Sequence, residues 1–179
     1  VVCHNAKVTD FARRKGQIVN GADPMNQPIA FKHLIHKIHR GEELEQHNWD
    51  LVAKYARMAQ EVRHETYLAD EDLDVLIVAY GTVARIARTS IDALRAKGLR
   101  IGLFRPVTLY PYPADALRKT AERARRILVA ELSTGQMVED VRAVVAGRRP
   151  VEFFGRVGGM VMSAEELADQ VEKLAAVAV

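Results

Sequence analysis

The chain has 179 residues, 49% of them hydrophobic and 27% charged, which supports one packed domain with an appendage and is too apolar for a disordered chain. No run reaches the roughly 18 uninterrupted apolar residues of a membrane helix, so a membrane-spanning protein is excluded. The net charge of +3 is spread along the chain and aromatics make up only 6%, which argues against nucleic-acid binding through a basic face with stacking platforms.

Cys3 is the single cysteine. It rules out an internal disulfide framework, a cysteine-only zinc site and a cysteine-ligated iron–sulfur cluster built by this chain alone. A reducing, cytoplasmic setting is the expectation. The chain opens on Val1, with no charged segment leading into an apolar one, and so reads as a piece of a longer protein rather than a secretory precursor.

Residues 1–41 are interrupted by Gly16, Gly21, Pro24, Asn26 and Pro28 and read as an irregular arm. His33, His36 and His39 within it form an H-x-x-H-x-x-H run. On a helix the three would spread over about 120°, too wide an arc for one metal ion, and no metal site is assigned. Residues 42–61 read as an amphipathic linker helix of roughly 30 Å, with Leu44, Leu51, Tyr55, Met58 and Val62 on one face that must dock on something. Residues 62–67 alternate in the β manner and supply an edge strand. The acids Asp70, Glu71, Asp72 and Asp74 then solvate a connection.

Residues 62–179 read as one α/β domain. Short apolar runs at 75–80 (VLIVAY), 101–104 (IGLF), 127–130 (ILVA) and 151–154 (VEFF) start 26, 26 and 24 residues apart, the length of a strand plus a crossover helix. Continuous rather than alternating runs mean strands covered on both faces, hence a mostly parallel sheet in a three-layer α/β/α sandwich. The crossovers have helical stripes: Val83, Ile86, Ala87, Ile91 and Leu94 before a terminating Gly98; Leu117 and Ala121 after Pro113 at a helix start; Val138, Val141 and Val145 before Gly147. Ser163 and Glu166 form a capping box, followed by inward Leu167, Val171 and Leu174.

Ligands of an open parallel sheet bind beyond the carboxyl ends of its strands. After the first apolar run neither G-x-G-x-x-G nor G-x-x-x-x-G-K-[ST] occurs, so nicotinamide or Walker-type binding is not expected, and Gly81-Thr82 reads as a tight turn with a helix cap. Residues 131–136 (ELSTGQ) bring a carboxylate, two hydroxyls and an amide to that edge, either for a ligand or neighbouring subunit or to satisfy local amides. Gly155, Gly158 and Gly159 permit close backbone approach. Gly81, Thr82, Arg105, Glu131, Gln136, Gly158 and Gly159 are the crevice or interface candidates. No nucleophile elbow or zincin motif is present, and no catalytic, cofactor-binding or metal-ligating residue is assigned.

Five stretches also recur in order: Glu42-Glu43-Leu44-Glu45 with His47-Asn48; Val78-Ala79-Tyr80-Gly81-Thr82-Val83-Ala84-Arg85; Gly102-Leu103-Phe104-Arg105-Pro106 with Leu109-Tyr110-Pro111-Tyr112-Pro113; Val129-Ala130-Glu131 with Gly135-Gln136-Met137-Val138-Glu139-Asp140-Val141-Arg142; and Phe154-Gly155-Arg156 with Gly158-Gly159. From about residue 43 to 167 the chain resembles the C-terminal half of the α subunit of 2-oxoacid:ferredoxin oxidoreductases of the 2-oxoisovalerate, 2-oxoglutarate and pyruvate types. Residues 1–41 fit the family pattern poorly.

The resemblance implies a transketolase C-terminal-like domain: a five-stranded sheet in the order 1-3-2-4-5 with the first strand antiparallel at one edge. It further implies a complex that uses thiamine diphosphate and Mg²⁺ to decarboxylate a 2-oxoacid, passing electrons through iron–sulfur clusters to ferredoxin and the acyl group to coenzyme A. In such enzymes the cofactor is held by a preceding pyrimidine-binding domain and by a G-D-G motif of the diphosphate-binding β subunit; no G-D-G occurs here. The expectation is a noncatalytic assembly domain, inactive when isolated, partnered by those cofactor-binding parts and other subunits and by further copies of itself. The alternative is an independent small-ligand-binding doubly wound domain using the crevice at Gly81, Arg105, Glu131 and Gly158.

Overall fold

The computed structural model describes residues 41–176. The arm and the histidine run lie outside the described residues. The chain divides into two compact units, Val1–Tyr55 and Ala56–Val179. Helix α1, Gly41–Met58, opens with Glu42 and Glu43 and ends near Arg57, charges that suit the two ends of its dipole. Leu44, Leu51, Tyr55 and Met58 are half-buried in a stripe that His47 joins, whereas Trp49 and Val52 are exposed. A 3₁₀ turn, Ala59–Glu61, follows.

Within the second unit, strand β1 is His64–Tyr67, two residues shorter than the alternation of 62–67 suggests. The ladder starts late because Arg63 makes other bonds: its amide donates to Thr108 Oγ1 at 3.0 Å and its carbonyl accepts from the amides of Val107 and Thr108. Although mostly exposed, β1 is fixed to its neighbour by the His64 ring stacked on Phe104 and by the Tyr67 hydroxyl donating to Asp92 at 2.6 Å. That hydroxyl's pKa is raised, chiefly by this bond to Asp92.

Strands β2 (Leu73–Val78), β3 (Ile101–Pro106), β4 (Ala124–Glu131) and β5 (Val151–Gly155) complete a five-stranded sheet in the order β1-β3-β2-β4-β5. Only the β1–β3 pair is antiparallel. The predicted fold class is therefore the one observed. β2 lies at the centre and has no exposed residue, and its alternate side chains build two cores. Val75 and Ile77 face helices α2 (Gly81–Ala96) and α5 (Ala164–Ala176) with Ile91, Leu94, Leu167 and Val171. Leu76 and Val78 face α3 (Ala114–Ala121) and α4 (Met137–Val145) with Leu117, Val138 and Val141. Ser90, buried in α2, donates to the carbonyl of Ala164 at 2.8 Å and so links α2 to α5.

Punctuation follows the sequence closely, with two shifts. The capping box is formed, Ser163 Oγ accepting from the Glu166 amide at 3.1 Å and Glu166 accepting from the Ser163 amide at 3.0 Å. Pro113 occupies the cap position and α3 begins one residue later. Helix α4 ends at Ala146 rather than Gly147, with Ala146 itself left-handed at φ 49° and its amide bonded to the Arg142 carbonyl.

Candidate functional site

The chain leaves β2 for α2 on one face of the sheet and leaves β4 for α4 on the other. The loops after these adjacent strands therefore diverge and open the carboxyl edge, where sheets of this topology hold their ligands.

Glu131, the last residue of β4, is fully buried. Its Oε2 accepts from Ser133 Oγ at 2.9 Å and from the Met137 amide at 3.1 Å, and its Oε1 accepts from the Val138 amide at 3.2 Å. Ser133 Oγ in turn accepts from the Gly135 amide at 3.0 Å. The carboxylate thus satisfies the first amides of α4 and sits at the positive end of its dipole, closing the loop on itself. Of the two roles open to residues 131–136, Glu131 takes the local one. Gly155 lets the end of β5 lie against this loop, since a Cβ there would stand 2.6 Å from the Ser133 carbonyl oxygen.

The other candidates do not converge on it. Gly81 turns the chain at φ 56° into α2, but the cap position is Tyr80, with no side-chain cap bond, and Thr82 is exposed within the helix. The expected turn is present and the expected threonine cap is not, because the left-handed glycine carries the chain into the helix before Thr82. Arg105 faces the β1 edge, where it bonds Glu65 at 3.0 Å across the antiparallel register. Gln136 is exposed at the head of α4 and makes no side-chain cap bond, that role having gone to Glu131. Gly158 and Gly159 lie exposed in the loop after β5, at φ 68° and 84°.

Two features escaped the sequence reading. Tyr112, between Pro111 and Pro113, buries a hydroxyl that has no hydrogen-bond partner among the described residues. Burial, with the charges of Asp140 and Glu131, raises its pKa. Asp140 is likewise raised by burial and by Glu131 and Glu139. The second feature is an apolar rim. Of the ten exposed large hydrophobic residues among those described, seven lie on carboxyl-edge loops: Val107, Leu109 and Tyr110 after β3, Leu132 after β4, and Val157, Met160 and Val161 after β5. Tyr110 is 60% and Met160 62% exposed. Apolar side chains gathered on one edge have the character of an interaction surface rather than of scattered surface residues. Among the described residues no group of three His, Cys, Asp or Glu side chains is placed to hold a metal ion, and no helix is long and apolar enough to cross a membrane.

Comparison with known proteins agrees with the fold. Residues 73–167 match the family model of the pyruvate:ferredoxin oxidoreductase core domain II. The ketoisovalerate oxidoreductase subunit VorB of Methanothermobacter thermautotrophicus is 44% identical over 138 residues, covering 76% of this chain and 38% of that subunit. Among solved structures, the 2-oxoglutarate:ferredoxin oxidoreductase of Magnetococcus marinus superposes with a TM-score of 0.58 at 20% identity, over 84% of this chain and 24% of that one. A split-gene transketolase superposes at 0.54 with 22% identity, over 63% of this chain and 41% of that one. The chain spans well under half the length of the VorB relative. It belongs to the pyruvate:ferredoxin oxidoreductase core domain II family, as a transketolase-like domain homologous to subunits of 2-oxoacid oxidoreductases.

Proposed function

We propose that this chain is the noncatalytic assembly domain of a cytoplasmic, thiamine-diphosphate-dependent 2-oxoacid:ferredoxin oxidoreductase, whose whole complex converts a 2-oxoacid to its acyl-CoA while reducing ferredoxin. Residues 62–179 are the domain proper, 42–61 the connecting helix and 1–41 an arm. Thiamine diphosphate, Mg²⁺ and the iron–sulfur clusters belong to companion segments. The observation that carries the reading is the chemistry of the carboxyl edge, which presents an apolar rim and keeps its buried carboxylate for α4. With both Glu131 oxygens engaged, this edge does not fit a cofactor-binding role. The occupant of the rim is the remainder of the subunit and the diphosphate-binding subunit, in keeping with a chain that spans 38% of its VorB relative. Gly158, Gly159 and Gln136 lie on the same contact surface.

Two measurements test this. Calorimetry of the chain alone with thiamine diphosphate and Mg²⁺ is expected to show no micromolar binding. Co-purification with the companion subunits is expected, and Tyr110→Asp with Met160→Asp is expected to abolish it while circular dichroism stays unchanged. Tight cofactor binding by the chain alone, or undiminished co-purification of the double variant, overturns the reading.

A further inference from the structure

At the opposite edge of the sheet the chemistry is reversed. Strands begin there and crossover helices end there, so carbonyl-rich helix termini face basic residues. A cleft of about 700 Å³ opens between the starts of β2 and β4, within the size range of small-molecule sites. Five arginines line it, Arg100 before β3, Arg123, Arg125 and Arg126 around the start of β4, and Arg149 before β5. Among the described residues that line it, three carboxylates, Asp72, Asp74 and Glu122, stand against these five, so the lining itself carries two more positive than negative charges.

A structural role accounts for part of this cluster. Arg149 Nη2 donates to the Glu122 carbonyl at 2.9 Å, Arg123 Nη1 to the Asp70 carbonyl at 3.1 Å, and Arg100 to Asp74 at 2.9 Å. These bonds fix where the guanidinium groups stand, yet each takes few of the five N–H donors a guanidinium carries. Arg149 also donates from Nη1 to the Arg148 carbonyl at 3.3 Å, and its Nε is buried with no hydrogen-bond partner among the described residues, so packing as well as bonding holds this guanidinium in place. Arg125 is 67% exposed and reaches Asp74 only at 3.8 Å. Fixed forks beside an exposed one, in a lining with an excess of positive charge, form a preorganised cradle for phosphate oxygens.

We infer that the amino-edge cleft binds a small phosphorylated molecule with at least two negative charges. Because the cleft and the apolar rim lie at opposite ends of the strands, the ligand binds whether or not the rim is docked, and the site is independent of the proposed assembly role.

Inorganic pyrophosphate is the probe, titrated calorimetrically into the full chain at low and at elevated salt. One saturable site is expected, weakening with salt as screened charge interactions do. Arg125→Glu, which removes no backbone bond, is expected to lower affinity about tenfold or more, equivalent to about 1.4 kcal/mol. Arg85→Glu, exposed at the carboxyl-edge end of α2 and identical in charge change, is expected to leave affinity within about twofold, since distant exposed charges are screened. Should Arg125→Glu fail to fold, Arg125→Gln is expected to weaken binding in the same direction. Absence of saturable binding, equal weakening by the Arg85 and Arg125 variants, or displacement of pyrophosphate by polyglutamate at lower concentration would each overturn the inference, the last by making the edge a contact for acidic protein.

Discussion

Glu131 shows how one side chain determines the character of an edge. Three donors meet its carboxylate in a site without solvent. Hydrogen bonds to a charged group contribute about 1.5–3 kcal/mol each, though not additively. Glu131→Ala should therefore cost about 3 kcal/mol, read from urea denaturation, and the loss should be accompanied by fraying of α4 in amide exchange. Glu131→Gln keeps the shape but turns an amide N–H₂ toward donors, so it should recover less than half of the loss. Residue types alone do not reveal this role, because it depends on the 131–136 loop curling back over its own strand. The available signal was Ser133 followed two residues later by Gly135, a spacing that favours a local hydroxyl-to-amide turn.

Asp140, on the first turn of α4, experiences the same carboxylate from outside. Burial and the Glu131 and Glu139 charges raise its pKa, so its proton is held more tightly in the folded chain than in the unfolded one. An acid shifted in that direction opposes folding once pH rises through the raised value, and is neutral in effect below the ordinary carboxylate pKa. Asp140→Asn should therefore stabilise the protein slightly at pH 7 and not at pH 3. Asp140 as a residue is mostly exposed and its carboxyl only partly desolvated, so the gain is held to a fraction of about 1 kcal/mol. Parallel urea titrations at the two pH values check the sign.

Among elements, legibility tracked burial on two faces. β2 was legible as a strand because all six of its residues are shielded and five are apolar. It runs Leu73–Val78, two residues earlier than the apolar run at 75–80, since Asp74 interrupts the apolar pattern at its start and the ladder ends before Ala79. β4 begins three residues earlier than its apolar run, since Arg125 and Arg126 belong to its arginine-lined amino edge and interrupt the pattern there. The rim escaped because its residues fall on loops, where an apolar side chain has no periodicity to betray it. The starts of β2 and β3 are joined by an ion pair: Asp74 accepts from the Arg100 amide and side chain, both at 2.9 Å. Burial works to raise the Asp74 carboxyl, but these bonds and the charges of Arg100 and Arg125 outweigh it and hold the pKa low. A depressed acid stabilises above its unfolded value, about 3.9, and the contribution is lost as pH falls through the folded one. Asp74→Asn should cost about 1–2 kcal/mol at pH 7 and progressively less below about pH 4. Ser163→Ala, by contrast, should cost about 1 kcal/mol through loss of a neutral cap. That cost should be the same at pH 7 and pH 5, because the serine hydroxyl that is lost carries no titrating proton in that range.

At the scale of the whole second unit, the sheet separates two chemistries along its strands, arginines where the strands begin and bare apolar loops where they end. A surface of the second kind does not stay solvated in isolation. Burying apolar area yields about 25 cal/mol per Å², and copies of the chain bring the same edge to one another at rising concentration. The purified chain should therefore self-associate in sedimentation velocity at high micromolar concentration. Adding Tyr110→Lys and Met160→Lys should leave a monomer, because charge placed on each copy repels its twin as well as removing apolar contact. Both side chains are exposed, so the melt should shift by no more than about 0.5 kcal/mol equivalent, the ordinary range for surface changes. Companion subunits added to the wild-type chain should dissolve the self-association, since they compete for the same edge. If instead self-association persists in the double variant, the rim is not the contact, and the reading of this domain as one covered by the rest of its enzyme loses its main support.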